Sequence, residues 1–234
     1  MECPALLSFD KYETNRYNAR LQVISPILMF LEIELKLHIQ PEDANLLYGH
    51  PFILEHAQHE PELHYLTSIY YDTPVQSLRK NELGLRIREC EQRFYQTVKS
   101  SGEHIGDLHH RHEWEAEIAG SVPDLTVLTP DIRERVEVII AKQVLQPIFK
   151  TEFQRTSWQL AFADGTQVEL ALDFGKVCAG QQEEQISELE LELKAGDTAK
   201  LHEIADVLSK SIPLTVENRS KAARGYQLCG KIMA

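Results

Sequence analysis

The sequence predicts a mainly β fold of the α+β class, with about eight strands and a few covering helices. Three observations carry this. Apolar and polar residues alternate in one segment after another, two pairs of segments flank turn-forming dipeptides, and few stretches keep a helical period.

Residues 1 to 28 are polar and weakly periodic and read as an N-terminal extension of low order ahead of a domain spanning 29 to 234, with Met29 a second candidate start. In "LEIELKL", residues 31 to 37, Leu31, Ile33, Leu35 and Leu37 share one face of a strand and Glu32, Glu34 and Lys36 the other. A short helix is expected after Pro41 and a strand over 64 to 71. The segments 84 to 90 and 93 to 99 form a hairpin around Glu91-Gln92, and 112 to 118 is a further strand. Ile132, Val136, Ile139, Ile140 and Val144 recur at helical spacing, predicting a helix over 131 to 144 that stops before Pro147. Asp164-Gly165 makes a tight turn between strands 151 to 162 and 166 to 174. After a last strand, 186 to 194, Asp197 caps a helix bearing Leu201, Ile204, Ala205 and Leu208. Without repeats or a Gly/Ser-rich linker, one compact domain is expected.

The 234 residues are 43% hydrophobic and 26% charged with a net charge of −12, which argues against a broad nucleic-acid-binding surface. Any polyanion site must be local. Cys3, Cys90, Cys178 and Cys229 form no metal or redox spacing and read as reduced thiols of a cytoplasmic protein. The apolar run "VISPILMFLEI" is broken by Ser25 and Pro26 and is too short to span a bilayer, so no membrane partner is expected.

All but one of the predicted strands place charges at alternate positions: Arg86 and Arg88; Lys99; Glu113, Glu115 and Glu117; Arg155; Glu169 with Asp173, read as out of step across a bulge; and Glu188, Glu190 and Glu192. The 64 to 71 strand is the exception. Taken alone, "LEIELKL" fits a sheet with one wet face. Repeated rows of like charge are different, because like charges side by side are destabilising. Carboxylate rows make sense around a hard divalent cation, and Arg and Lys rows against a polyanion. If these faces point inward, a closed eight-stranded sheet encloses a charged tunnel just wide enough for one small ligand. Such an array is costly without ligand and metal, so it reads as a binding site.

"EIELK" resembles the Glu-x-Glu-x-Lys signature of the CYTH, or triphosphate tunnel metalloenzyme, superfamily. "LGLRIR", "TVKSSG", "LHHRHEWE", "LALDFG", "SELELELKAGD" and "SKAARGY" resemble, in order, segments of its bacterial inorganic triphosphatase branch. The resemblance implies an eight-stranded antiparallel closed barrel and hydrolysis of tripolyphosphate, or another small triphosphate, with Mg²⁺ or Mn²⁺. It implies triphosphate-binding cations at Lys36, Arg86, Arg88, Lys99, Arg155 and Lys221, with Arg224 a further candidate, and metal-binding carboxylates at Glu32, Glu34, Asp173, Glu188 and Glu190. Glu32, Glu34, Lys36 and Asp173 are the expected catalytic set, and Glu113, Glu115 and Glu192 are expected to face the same space without an assigned role. Glu188 and Glu190 are expected opposite Glu32 and Glu34 around one metal, with a second metal nearer Asp173. Thiamine triphosphatase, class IV adenylyl cyclase and a non-catalytic polyphosphate- or nucleotide-binding module stay open as alternatives, as does a homodimer. Members of that branch often carry a further helical, His-rich domain, which does not follow within these residues.

Other features have plainer readings. "HHRH", with His56, His59, His64 and His104, offers no helical pair of zinc ligands, and no phosphate loop of the GxxxxGK[ST] type occurs. Tyr65, Tyr70, Tyr71, Trp114 and Trp158 read as core.

Overall fold

The computed structural model describes residues 28 to 232 apart from Ser101. The extension expected at the N-terminus lies outside the described residues except for Leu28, which opens the first strand.

Ten strands form one antiparallel sheet, β1 (Leu28–Ile39), β2 (Glu62–Asp72), β3 (Leu83–Cys90), β4 (Arg93–Ser100), β5 (Glu103–Ile105), β6 (Leu108–Ile118), β7 (Gln146–Ala161), β8 (Gln167–Ala179), β9 (Gln182–Ala195) and β10 (Leu214–Val216). The spatial order is β10-β1-β9-β8-β7-β2-β3-β4-β6-β5, and a further β1–β6 pairing closes the eight long strands into a barrel. Closure rests on the length of β1. Its first part, Leu28 to Leu35, pairs with β6, while Glu34 to His38 pairs with β9 and Leu37 to Ile39 with β10. The expected strands are all present, most of them longer at one or both ends. The three-residue β5 and β10 are too short to show a period, which is why they were not expected.

The β3–β4 hairpin turns on Glu91 and Gln92, both at positive φ (49° and 67°), the pair a type I′ turn needs. The β7–β8 turn differs from the two-residue form expected of Asp-Gly. Gly165 N donates to Phe162 O at 3.0 Å, so Ala163 and Asp164 are the turn centre and Gly165, at φ +85°, follows in the left-handed region.

Helices cover the outside. The segment after Pro41 breaks into a 3-10 turn and two short helices, α1 (Asn45–Tyr48) and α2 (Pro51–His56). Next come α3 (Ser77–Lys80), α4 (Pro130–Ile140), α5 (Ala199–Ser209) and α6 (Lys221–Ile232). Helix α4 ends earlier than its apolar spacing suggests, because Ala141 and Lys142 take positive φ and leave Val144 77% exposed. Asp197 accepts from Ala199 N at 2.9 Å, as its capping role requires. Helix α6 was not expected, since Gly225 and Gly230 interrupt its pattern.

The outward rows form two apolar clusters. Leu35, Leu37, Val168, Leu170, Leu189 and Leu191 pack beneath Leu201, Ile204 and Leu208 of α5, and Leu85, Ile87, Val98 and Trp114 pack beneath Ile132 and Val136 of α4. Each fully buried leucine there contributes roughly 1.5–3 kcal/mol, so the fold is held from outside the barrel. A third cluster lies on the inward rows of β2, β7 and β8, where Leu66, Tyr70, Phe149, Phe153 and Val177 meet Tyr226 and Leu228 of α6. Leu66 and Tyr70, in the uncharged middle of the β2 row, therefore supply part of the apolar seat of that helix. A Cβ at Gly225 would come within 2.2 Å of the Phe149 ring, so only glycine allows α6 to lie this close. Of the aromatics read as core, Tyr70, Tyr71, Trp114 and Trp158 are buried, whereas Tyr65 lies on the outside, 74% exposed.

Candidate active site

Residues that face each other across an antiparallel pair share a side of the sheet, so the register decides which charges meet inside. Many meetings are favourable. Glu32 faces Arg111, Lys36 faces Glu190, Lys99 faces Glu113 and Arg155 faces Asp173. At two places the register instead brings like charges together: Asp173 beside Glu188, and Glu192 beside both Glu34 and Glu169. The irregularity in β8 falls between Gln167 and Val168, ahead of Glu169 and Asp173 alike, so these two are in step and the displaced Asp173 of the sequence reading is corrected.

At the first place α6 supplies the missing cation. Lys221 Nζ donates to Asp173 Oδ2 at 2.6 Å and Glu190 Oε1 at 3.1 Å, and also to Glu188. Arg155 grips Asp173 through Nε and Nη2 at 2.8 and 2.7 Å and reaches Glu190 with the same Nη2. Lys36 donates to Glu190 and stands 3.5 Å from Glu34 and 3.9 Å from Glu188. Oxygens of Asp173, Glu188 and Glu190 lie within 4.8 Å of one another, all three residues buried, and this group contains no histidine. Hard divalent cations prefer such donors.

Burial alone pushes the carboxyls of Asp173 and Glu190 up. Arg155 and Lys221 outweigh it at Asp173, and Lys221, Lys36 and Arg155 outweigh it at Glu190, so both are held low. Glu188 goes the other way: burial raises it, Lys221 and Lys36 offset only part of that, and Glu190 and Asp173 add to the rise. Glu188 is thus the member of the group whose ionised form burial disfavours most, although Lys221, Lys36 and Arg224 all stand within ion-pair distance of it.

Glu32 and Glu34 stand apart from this group. Lys99 reaches both oxygens of Glu32 at 2.8 and 3.0 Å and Glu113 at 2.5 Å, while Arg111 lies 3.1 Å from Glu32 and bonds Glu34. Strand β1 is adjacent to β9, with Glu34 paired to Glu192 and Lys36 to Glu190, so Glu188 and Glu190 stand on the strand beside Glu32 and Glu34, with Lys36 reaching Glu34, Glu188 and Glu190. Burial raises the Glu32 carboxyl, but Lys99 and Arg111 together hold it well below its usual range.

Two of the arginines have few carboxylate partners. Arg86 reaches Glu113 only at 3.5 Å, and among the described residues no carboxylate comes within ion-pair distance of Arg88, whose Nε donates to Ser68 Oγ at 3.2 Å. Burial, then the nearby Arg86 and Arg155, bring the Arg88 guanidinium down to about 10. Arg88, Arg155 and Lys221 also stand around the Phe153 ring, 5.9, 5.7 and 4.8 Å from its centre.

All the site residues read from the sequence are on inward rows or, for Lys221, on the helix that meets them. Glu113, Glu115 and Glu192 face the same space: Thr97 donates to Glu115 at 2.9 Å, and Lys194 lies 2.7 Å from Glu192. Arg224 donates to Glu184 at 2.9 Å and Glu188 at 3.3 Å. Arg111 stands within "HHRH", where its alternation with Glu113 and Glu115 gives it and Glu113 more weight than the histidines, but its partners Glu32 and Glu34 are set by the β1–β6 register. Asp72 and Tyr226, hydrogen-bonded to each other at 2.8 Å, were missed, because neither lies in a charged row.

Two outcomes are expected in unfolding experiments. Lys221→Met leaves three buried carboxylates short of a cation and should cost about 3 kcal/mol, whereas Arg88→Met removes a cation without a carboxylate partner and should raise stability by about 1 kcal/mol. Equal losses for both would contradict the charge assignment. Burial first, then Glu32 and Glu169, push Glu192 from 4.5 up to about 7 against the pull of Lys194. Between these values the folded state binds a proton that the unfolded state lacks, so this contribution to stability is complete below pH 4.5 and is lost as pH rises through 7. Glu192→Gln should therefore gain on the wild type across that window in denaturant titrations, and parallel profiles would refute it.

Residues 31–226 match the CYTH domain family. An inorganic triphosphatase of Haemophilus influenzae is 36% identical over 211 residues, 87% of this chain and 56% of that protein, so the chain spans about half the length of this relative. Two solved structures share the fold at a TM-score of 0.54. One is HpAC1 from Hippeastrum, provisionally an adenylyl cyclase and described as having a dominant triphosphatase activity (18% identity, 84% of this chain, 95% of that chain). The other is a Bacillus halodurans protein with a provisional adenylate cyclase name (20% identity, 84% and 97%). With the closed barrel, its inward charges and the match over nearly all the described residues, the chain belongs to the CYTH domain family.

Proposed function

We propose that the chain is a metal-dependent triphosphatase that hydrolyses inorganic tripolyphosphate to pyrophosphate and orthophosphate inside the barrel. The observation that carries this reading is the close group of buried carboxylate oxygens beside arginines with few carboxylate partners, on the inward rows of one closed sheet. A polyanion suits the arginines, and a divalent cation suits the oxygens. The name of the Haemophilus influenzae relative supports the choice of substrate.

Phosphoryl transfer passes through a loose transition state, so catalysis is mostly positioning and charge stabilisation. Arg86, Arg88 and Arg155 present forks that match pairs of phosphate oxygens, and Lys36, Lys99 and Lys221 act as point charges along the chain. The fit of Asp173, Glu188 and Glu190 to a hard cation rests on their mutually close oxygens, with Glu32 and Glu34 as further oxygen donors along the wall. Mg²⁺ or Mn²⁺ bound there supplies charge neutralisation and an activated water. A cation held there would take over the neutralisation that Lys36 and Lys221 give these carboxylates, leaving both ammoniums to face the anion. The free thiols of Cys178 and Cys229 suit a cytoplasmic setting. No helix among the described residues is long and apolar enough to cross a membrane.

The test measures orthophosphate, pyrophosphate and cyclic AMP from tripolyphosphate, thiamine triphosphate and ATP, with Mg²⁺, Mn²⁺ or chelator. Orthophosphate from tripolyphosphate that disappears with chelator is expected, and cyclic AMP without orthophosphate would overturn the reading. Arg88→Lys, which keeps the charge but loses the fork, should lower kcat/KM about tenfold, and Glu34→Gln should abolish metal-dependent release with the fold intact.

A further inference from the structure

Helix α6 lies at the end of the described chain, yet it delivers Lys221 into the buried carboxylate group, so whatever fixes α6 fixes that ammonium. Gly225 sets how closely the helix approaches Phe149 but does not determine its rotation or axial position. A second set of contacts does. Tyr226 Oη donates to Asp72 Oδ2 at 2.8 Å, and both residues are buried. Asp72 is itself immobilised, accepting from Thr73 N at 2.7 Å, Leu78 N at 2.8 Å and Arg79 N at 3.0 Å, so its carboxylate ties the end of β2 to α3. Arg79 completes the clamp from outside: its guanidinium carbon stands 4.9 Å from the centre of the Tyr226 ring and Nη1 donates to Tyr226 O at 3.3 Å. The ring also meets Phe149 in an edge-to-face contact, with centroids 5.2 Å apart.

We propose that Tyr226, held by Asp72 and Arg79, is a positioning residue: its hydroxyl fixes the rotation and depth of α6 and thereby places the Lys221 ammonium among Asp173, Glu188 and Glu190. This rests on the triphosphatase reading above for its consequence in substrate binding. Among the described residues Tyr226 makes no hydrogen bond to Asp173, Glu188 or Glu190, and it acts on Lys221 through the helix. Five residues, about 7.5 Å of helix rise, separate it from Lys221, so loss of one hydrogen bond to a charged acceptor can displace the ammonium without unfolding the barrel.

The experiment is a double-mutant cycle of Tyr226→Phe and Lys221→Met, read by tripolyphosphate hydrolysis and calorimetric binding, with hydrogen exchange of the α6 amides as an independent readout. Tyr226→Phe keeps the ring and its contacts, so faster exchange confined to α6 is expected, with KM and Kd for tripolyphosphate raised about five- to tenfold and kcat within about twofold. In the Lys221→Met background the same substitution should change affinity less than about twofold. An equal loss in both backgrounds, or unchanged α6 exchange, overturns the proposal. A wild-type protein that neither binds nor hydrolyses tripolyphosphate would refute the triphosphatase reading instead, and α6 exchange would still decide whether the hydroxyl holds the helix.

Discussion

Charges inside a closed sheet have little water to turn to, so each must find its counter-charge across a neighbouring strand or from a ligand. In this barrel the antiparallel register does most of that matching. Arg155 against Asp173 and Lys99 against Glu113 are consequences of pairing geometry before they are features of a site. Where the register fails to match signs, the chain reaches for help from elsewhere: Lys221 comes from a helix at the far end of the described sequence to stand beside Asp173, Glu188 and Glu190. The barrel's stability and its proposed chemistry thus draw on the same set of ion pairs.

This explains the division of labour between the two faces. The outward rows hold the fold by burying leucine, isoleucine and valine under α4 and α5, and the inward rows are left for charge. Strand β2 departs from the rule, with Leu66 and Tyr70 facing inward, because α6 needs an apolar seat there. A barrel built this way carries unmatched charge as the cost of being ready for its proposed ligand, and Arg88, half-buried beside two other arginines with no carboxylate at ion-pair distance among the described residues, is where that cost is clearest.

Much of this was legible in the sequence, for reasons particular to strands. A period of two leaves no choice about which residues share a face, so Glu32, Glu34 and Lys36 could be placed together from seven residues. Which rows meet could not be read, because register depends on closure: β1 splits its pairing between β6 and β9, and that split puts Glu32 and Glu34 with Lys99 and Arg111, and Glu188 and Glu190 on the strand beside them. Short elements and glycine-bearing helices were also hidden. Lys221 was found through the resemblance of "SKAARGY" to its family, while the helix carrying it, and the Tyr226–Asp72 bond that anchors it, leave no periodic trace.

The inward charges are proposed to be poised for a polyanion together with a divalent cation. Thermal unfolding of the wild-type protein with Mg²⁺ and increasing tripolyphosphate, against sulfate at equal ionic strength, tests it most directly. At about a hundredfold excess over Kd, specific binding adds about 2.7 kcal/mol, which corresponds to a rise in Tm of roughly 5–10 °C for a chain of this size. That rise is expected with tripolyphosphate and Mg²⁺ together. An unchanged Tm, or a rise that sulfate reproduces, would contradict it.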